Sequence, residues 1–75
     1  MKEKILIIGS PGIGKTDLGN KLSKLMNYDL ADEVPSAGWL SSNAEPRTVY
    51  VSNSITGAEV AKCLKEFTVI AVVNL

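Results

Sequence analysis

The residues of this chain that could do chemistry are concentrated near its start. One segment, here called the glycine loop, comprises Gly9, Ser10, Pro11, Gly12, Ile13, Gly14, Lys15 and Thr16. It fills the pattern G-x-x-x-x-G-K-[ST], in which backbone N–H groups surround phosphate oxygens and the lysine reaches the β- and γ-phosphates. The threonine hydroxyl of this pattern ligates a bridging Mg²⁺ ion. We therefore expect the glycine loop to bind nucleotide phosphates with Mg²⁺.

Two other interpretations of the glycine loop have to be compared with phosphate binding. The loop spells G-x-x-G-x-G rather than the G-x-G-x-x-G of dinucleotide-binding folds, although Asp29 or Asp32 follows where a ribose ligand would stand. That fingerprint has no use for Lys15 and Thr16, and neither has a plain turn between a strand and a helix. Both residues favour the binding of nucleotide phosphates.

The segments beside the glycine loop are those that such a loop requires. The branched apolar run before it predicts a buried parallel strand over Lys4–Ile8. Helical spacing after it predicts a helix from Lys15 to Asn27, with Lys21 and Lys24 in solvent. The predicted apolar stripe of this helix consists of Leu18, Leu22, Leu25 and Met26.

A pair of acids follows the next predicted element, a short strand over Tyr28–Ala31. Asp32 and Glu33 would stand at the carboxyl end of this strand, which is the edge of a parallel sheet where ligands bind. They could hold Mg²⁺ through water or accept a proton from a hydroxyl. Alternatively, they are surface acids that open a loop.

Residues Val34–Arg47 are predicted to form a long loop, because proline, glycine, serine and asparagine interrupt any period. Within it, Trp39 and Leu40 either cap the core or present an anchor for a protein partner. Arg47 is the sole arginine. It could bind a phosphate or be an ordinary surface charge.

Strand and helix signals continue to alternate after this loop. We predict a strand over Thr48–Ser52, a helix that begins after Thr56 with a Thr56/Glu59 capping box and runs to about Glu66, and a strand over Thr68–Val73. The buried positions predicted for the helix and its end are Val60, Ala61, Leu64 and Phe67. This order predicts a minimal three-layer α/β domain over residues 1–75, with a parallel sheet of three or four strands and two helices.

Composition limits the remaining classes of function. The chain has 75 residues, 45% of them hydrophobic, and a formal net charge of zero, which gives no bulk attraction to nucleic acid. Cys63 is the single cysteine and there is no histidine, so no intrachain disulfide or common zinc cluster can form. No apolar run suits a secretory signal or a bilayer span, and we expect a cytoplasmic protein. Its small size favours self-association.

The order of elements and the residues of the glycine loop resemble the P-loop kinase family, which includes adenylate-type and shikimate-type kinases. The run Ile5–Thr16 looks like the start of those enzymes, and Leu22–Glu33 is similar to their first helix and second strand. The resemblance implies binding of ATP and Mg²⁺, with Thr16 and Asp32 at the metal. It also implies catalytic roles for Lys15, which would stabilise charge, and Asp32, which would act as base.

Two departures from the family pattern concern catalysis. Ser52–Ser54 occupy the place of the aspartate that ends the family's Walker B strand, and no segment with the family's lid arginines occurs in these residues. Because phosphoryl transfer depends on electrostatic stabilisation, both losses disfavour turnover. We therefore expect nucleotide binding with weak phosphoryl transfer or hydrolysis at most. The alternative is a non-catalytic regulatory protein that binds a partner through Trp39, the long loop or an unpaired sheet edge.

Overall fold

The fold is built on one parallel sheet. The computed structural model describes residues 4–10, 12, 14–63 and 67–72, and strands and helices alternate along them. The strands are β1 (Lys4–Gly9), β2 (Asp29–Ala31), β3 (Thr48–Ser52) and β4 (Thr68–Val72). The helices in this part of the chain are α1 (Lys15–Met26), α2 (Ala37–Asn43) and α3 (Gly57–Cys63). The predicted α/β fold is confirmed.

The strands lie in the order β2-β3-β1-β4, and all neighbouring pairs are parallel. The two central strands are β3 and β1, whose apolar residues are buried as expected for strands covered on both faces. Ile5 is paired with Val49 on one side and with Thr68 on the other. In a parallel sheet all carboxyl ends lie at one edge, so the segments that follow the strands meet there.

Alternate residues of the central strands pack into two separate apolar clusters. Ile5, Ile7, Val49 and Val51 face α1 and contact Leu18, Leu22 and Met26. The opposite face of the sheet is covered by the segment that contains α2 and α3, and its cluster comprises Leu6, Ile8, Val34, Ala37, Leu40, Tyr50, Ile55 and Phe67. The sheet therefore lies between two helical layers, which confirms the three-layer arrangement.

The position of α1 against the sheet depends on Gly19. A Cβ atom at this residue would lie 2.9 Å from Cγ2 of Val51 and 3.0 Å from Cδ1 of Leu30, so only glycine permits this approach. The helix ends at Met26, and Asn27 caps it in the left-handed conformation with φ 57°. Leu25 is 84% exposed, so its predicted place in the apolar stripe is wrong.

The predicted loop over Val34–Arg47 is wrong, because this segment contains the helix α2. The Ser36 side chain caps it by accepting a 3.1 Å hydrogen bond from the backbone N–H of Trp39. Ala37 and Leu40 are buried beneath the sheet, and their burial compensates for the weak helix formers between them. The described residues thus form three helices rather than the predicted two.

The predicted capping box of α3 is confirmed. The backbone N–H of Glu59 donates to Thr56 Oγ1 over 3.3 Å, and Glu59 Oε1 accepts from the backbone N–H of Thr56 over 3.1 Å. Val60 packs on the core as predicted, whereas Ala61 is exposed. Leu64–Glu66, Val73 and the side chain of Cys63 lie outside the described residues. None of the described helices has the length and apolar character needed to cross a bilayer.

Candidate phosphate-binding site

The glycine loop joins β1 to α1 through backbone conformations that favour glycine. Gly9, Gly12 and Gly14 have φ values of 152°, 80° and 85°. A Cβ atom at Gly12 or Gly14 would meet no atom within 4 Å, so these positions require glycine for its conformation and not for lack of space. The predicted site residues Pro11 and Ile13 lie outside the described residues.

Lys15 is the first residue of α1 and is only 4% exposed. Its Nζ donates a hydrogen bond to the backbone carbonyl of Ser10, at the start of the glycine loop. Within the described part of the chain, the ammonium pairs with no carboxylate. A nearly buried cation with one carbonyl partner retains most of its attraction for an anion.

Thr16 and Asp32 meet across the carboxyl edge of the sheet. Thr16 Oγ1 donates to Asp32 Oδ2 over 3.0 Å, although the two residues belong to different elements. The other carboxylate oxygen, Oδ1, accepts from the backbone N–H of Glu33 over 2.8 Å. The predicted placement of Asp32 on the same side as the glycine loop is therefore confirmed.

Hydrogen bonds to β3 hold the segment that carries Asp32. Leu30 and Ala31 pair with β3, and the pairing resumes where the backbone N–H of Val34 donates to the carbonyl of Val51 over 3.0 Å. Between these points Asp32 and Glu33 bulge outward, and Glu33 has a φ of 59°. The bulge is anchored at both ends, which limits the freedom of the carboxylate that contacts Thr16.

Ser52, at the end of β3, holds the end of this bulge through a hydrogen bond. Its side chain is fully buried and donates a 2.9 Å hydrogen bond to the carbonyl of Val34, while it accepts from the backbone N–H groups of Ser54 and Ile55. These bonds occupy the hydroxyl, so Ser52 is a structural residue. The residue after β3 that faces the site is Asn53.

A cavity of about 300 Å³ lies over the glycine loop and the bulge. Its lining residues are Gly12, Gly14, Lys15, Thr16, Asp17, Asp32, Glu33 and Asn53. No three acidic, cysteine or histidine side chains in the described residues form a group that could hold a metal ion. The protein therefore offers a few oxygen ligands here, and a bound Mg²⁺ would need phosphate oxygens as well.

Arg47 lies at the opposite end of the sheet, directly before the first residue of β3. Its guanidinium stands over the ring of Tyr28, 5.4 Å from the centroid. The length of β3 separates it from Asn53 by roughly 20 Å. Arg47 is therefore too far away to bind a phosphate in this site, and that alternative is wrong.

Trp39 and Leu40 have different environments on α2. Leu40 is fully buried, whereas Trp39 remains 42% exposed. Of the two alternatives for this pair, capping of the core is confirmed for Leu40. An anchor for a partner stays a prediction for Trp39.

Sequence reasoning missed Asn53 and Asp17 as residues of the site. Asn53 directly follows a strand, as Asp32 does, so the rule that ligands bind at the carboxyl ends of parallel strands could have identified it. Asp17 lies in the first turn of α1, where an acidic residue is also explained by the helix dipole. The sequence therefore does not distinguish a residue of the site from a residue that stabilises the helix end, and the assignment of Asp17 to the site depends on the cavity.

Comparisons with protein-family models, with curated proteins and with solved structures gave no match for this chain. The resemblance to P-loop kinases stays a prediction that rests on the chain's own residues.

Proposed function

We propose that this chain binds the phosphates of a nucleoside triphosphate, most simply ATP, together with Mg²⁺. The observation that carries the proposal is the convergence of the glycine loop, Lys15 and the Thr16–Asp32 pair on one cavity. The proposal includes membership of the P-loop kinase type, with a cytoplasmic location.

The charges of the site support binding of an anion at the glycine loop. Lys15 is nearly buried, and its ammonium has a carbonyl rather than a carboxylate as its hydrogen-bond partner. The loop also leads into the amino end of α1, where unpaired N–H groups carry partial positive charge. Phosphate oxygens satisfy both groups at once.

The residues present fit Mg²⁺ when it arrives with the phosphates. Thr16 offers a hydroxyl oxygen, and Asp32, which is hydrogen-bonded to it, offers a carboxylate. Mg²⁺ prefers oxygen ligands and is commonly held by one or two protein groups plus substrate phosphates. When bound, it would neutralise charge on the phosphates. We expect Mg²⁺ alone to give no binding heat with the apoprotein.

The site has few groups that could support turnover. Lys15 would stabilise charge on the transferred group, and the Asp32 carboxylate would orient and accept the proton of an attacking hydroxyl. Because Arg47 lies at the far end of the sheet, it supplies no cation to the site. We therefore propose binding as the main activity, with slow transfer or hydrolysis at most.

Calorimetric titration with ATP, ADP and GTP in the presence of Mg²⁺ tests the proposal. Lys15→Ala should weaken binding about a hundredfold or more, because it removes charge-assisted hydrogen bonds worth about 3 kcal/mol. Lys21→Ala is the matched control, since Lys21 is an exposed lysine of the same helix. Equal affinities for the two variants, or no binding by the folded wild type, would refute nucleotide binding through the glycine loop.

A regulatory protein that acts through a partner remains the second candidate function. The observation that favours it is Trp39, which is 42% exposed on a helix whose other face is buried. Exposed tryptophans are frequent anchors of interfaces. If this function is right, Trp39→Ala loses partner binding and keeps nucleotide affinity, whereas Leu25→Ala, at another exposed apolar residue, changes neither.

Self-association also stays a prediction. The outer edges of β2 and β4 have no neighbouring strand in the described residues. Sedimentation at several concentrations should detect a dimer or larger species. A monomer at high concentration would contradict it.

A further inference from the structure

A second cavity of about 570 Å³ opens beside the glycine loop, and the binding of phosphates makes no use of it. It lies at the carboxyl ends of β1, β3 and β4, on the side of the sheet covered by α3. Its lining residues are Ile8, Gly9, Ser10, Asn53, Ser54, Ile55, Thr56, Gly57, Ala71 and Val72. A small molecule bound there would lie at the same edge of the sheet as the phosphates.

The two cavities adjoin at Asn53, which lines both of them. Gly9 and Ser10 line the second cavity, and the same backbone continues into the residues that line the first. A ligand in the second cavity and phosphates in the first would therefore be neighbours. They could belong to one molecule or to two.

The described wall of the second cavity offers hydrogen bonds and apolar surface without a charged side chain. Its described lining contains no acidic or basic side chain. The side chains of Ser10, Asn53 and Ser54 make no hydrogen bond to another described residue, so two hydroxyls and one amide are available to a ligand. Ile8 and Ile55 are buried and supply an apolar floor.

Charges in the adjoining cavity disfavour an anion in the second one. Asp17, Asp32 and Glu33 line the first cavity, and its cation, Lys15, would be engaged by the nucleotide phosphates. A second anion would meet repulsion from these acids and from the phosphates without a cation of its own. An uncharged molecule avoids this cost.

We propose that the second cavity binds an uncharged, hydroxyl-bearing small molecule beside the nucleotide phosphates. The inference rests on the proposed function only for the identity of the neighbouring ligand. The bound group is either the nucleoside part of the same nucleotide or a separate neutral molecule, since both present a hydroxylated ring of this chemistry. A molecule with its own phosphate or carboxylate is excluded.

Calorimetry with Ala71→Phe tests whether a ligand binds in the second cavity. Ala71 lines this cavity and is exposed, so a larger side chain can occupy the space. Thr68→Phe is the matched control, since Thr68 is exposed on the same strand and does not line the cavity. Three probes are compared, each with Mg²⁺: ATP, inorganic tripolyphosphate, and adenosine added to protein saturated with tripolyphosphate. Circular dichroism verifies that both variants fold.

Ala71→Phe should weaken either ATP or adenosine tenfold or more, while tripolyphosphate affinity stays unchanged. Loss for ATP, with or without loss for adenosine, identifies the nucleoside part of the nucleotide as the ligand, whereas loss for adenosine alone identifies a separate molecule. Ser54→Ala, which adds no bulk, should produce a smaller loss of about threefold for the same probe. If Ala71→Phe does not fold, Ser54→Ala tests whether the ligand binds in the second cavity.

Adenosine monophosphate in place of adenosine tests the exclusion of charge. With the glycine loop filled by tripolyphosphate, it should bind at least tenfold more weakly than adenosine. Equal binding of the two, or unchanged binding of ATP and adenosine in both cavity variants, would overturn the proposal. Failure of tripolyphosphate to bind the wild type would instead refute the proposed function. The binding of adenosine without tripolyphosphate to the wild type and the cavity variants would then test the second cavity by itself.

Discussion

The two ends of the parallel sheet both carry cationic side chains, but the surroundings of these side chains differ. At the amino end, the guanidinium of Arg47 lies over the ring of Tyr28, and the Lys4 ammonium lies 5.9 Å from the centroid of Phe67. At the carboxyl end, Lys15 and Thr16 border an open cavity. The two cations at the amino end thus have aromatic partners within the protein, whereas Lys15 at the carboxyl end borders space that a ligand can fill.

If the proposed function is right, position relative to the strands separates ligand-binding cations from structural ones better than residue type does. Arginine is the better residue for bidentate phosphate recognition, yet Arg47 lies at the wrong end of the sheet. Lys15 begins the helix that follows β1, so the chain delivers it to the carboxyl edge. The predictions below change the packing of α1 on the sheet, the carboxyl end and the amino end in turn.

Among these predictions, the largest change in free energy is expected from Gly19→Val, which forces α1 away from the sheet. The new side chain would collide with Val51 and Leu30, and we expect the free energy of unfolding to fall by about 2 kcal/mol. Chemical denaturation measures it. Asn20→Val is the control for intrinsic helix propensity, because Asn20 is the exposed neighbour in α1. An equal loss in both variants would show that close packing at Gly19 contributes nothing.

An intermediate effect is expected from Asp32→Asn, which keeps the shape of the side chain and removes its charge. Partners of this kind around a metal commonly contribute about tenfold in affinity, so Mg²⁺-dependent ATP binding should weaken by about that factor. Calorimetry with and without Mg²⁺ isolates the metal-dependent part. Glu33→Gln is the control, and it should change binding less, because the bond to Thr16 comes from Asp32. The reverse order would assign the metal to Glu33.

The smallest effect is expected from Arg47→Ala at the amino end. Loss of the contact with Tyr28 should lower the free energy of unfolding by about 0.5 to 1 kcal/mol. ATP affinity should remain unchanged, and a thermal melt with and without nucleotide reports both quantities. A large loss of affinity would remove the distinction between the two ends.

The parts of the fold with strong local signals could be predicted from the sequence. The apolar run of β1, the glycine loop and the Thr56/Glu59 capping box each have a short-range physical cause, and the structure contains all three. The carboxyl-end rule also placed Asp32 correctly on the same side of the sheet as the glycine loop, where it contacts Thr16. These predictions needed no knowledge of the distant parts of the chain.

The parts that depend on tertiary contacts could not be predicted. The helix α2 contains weak helix formers and is stabilised by burial of Leu40, which local propensity does not register. The buried face of α1 includes Gly19, which adds no apolar side chain to the periodicity, so the spacing of apolar residues predicts the wrong side for Leu25. In the site, the roles of Ser52 and Asn53 depend on hydrogen bonds and a cavity formed by distant segments.

Amide NMR of the isotope-labelled chain, titrated with ATP and Mg²⁺, most directly tests the difference between the two ends. We expect the largest chemical-shift changes at Gly12, Gly14, Thr16 and Asp32, with little change at Arg47, because the cavity over the glycine loop lies entirely at the carboxyl end. Changes centred on Arg47 and Tyr28, or no changes at saturating nucleotide, would contradict the assignment of the glycine loop as a nucleotide site.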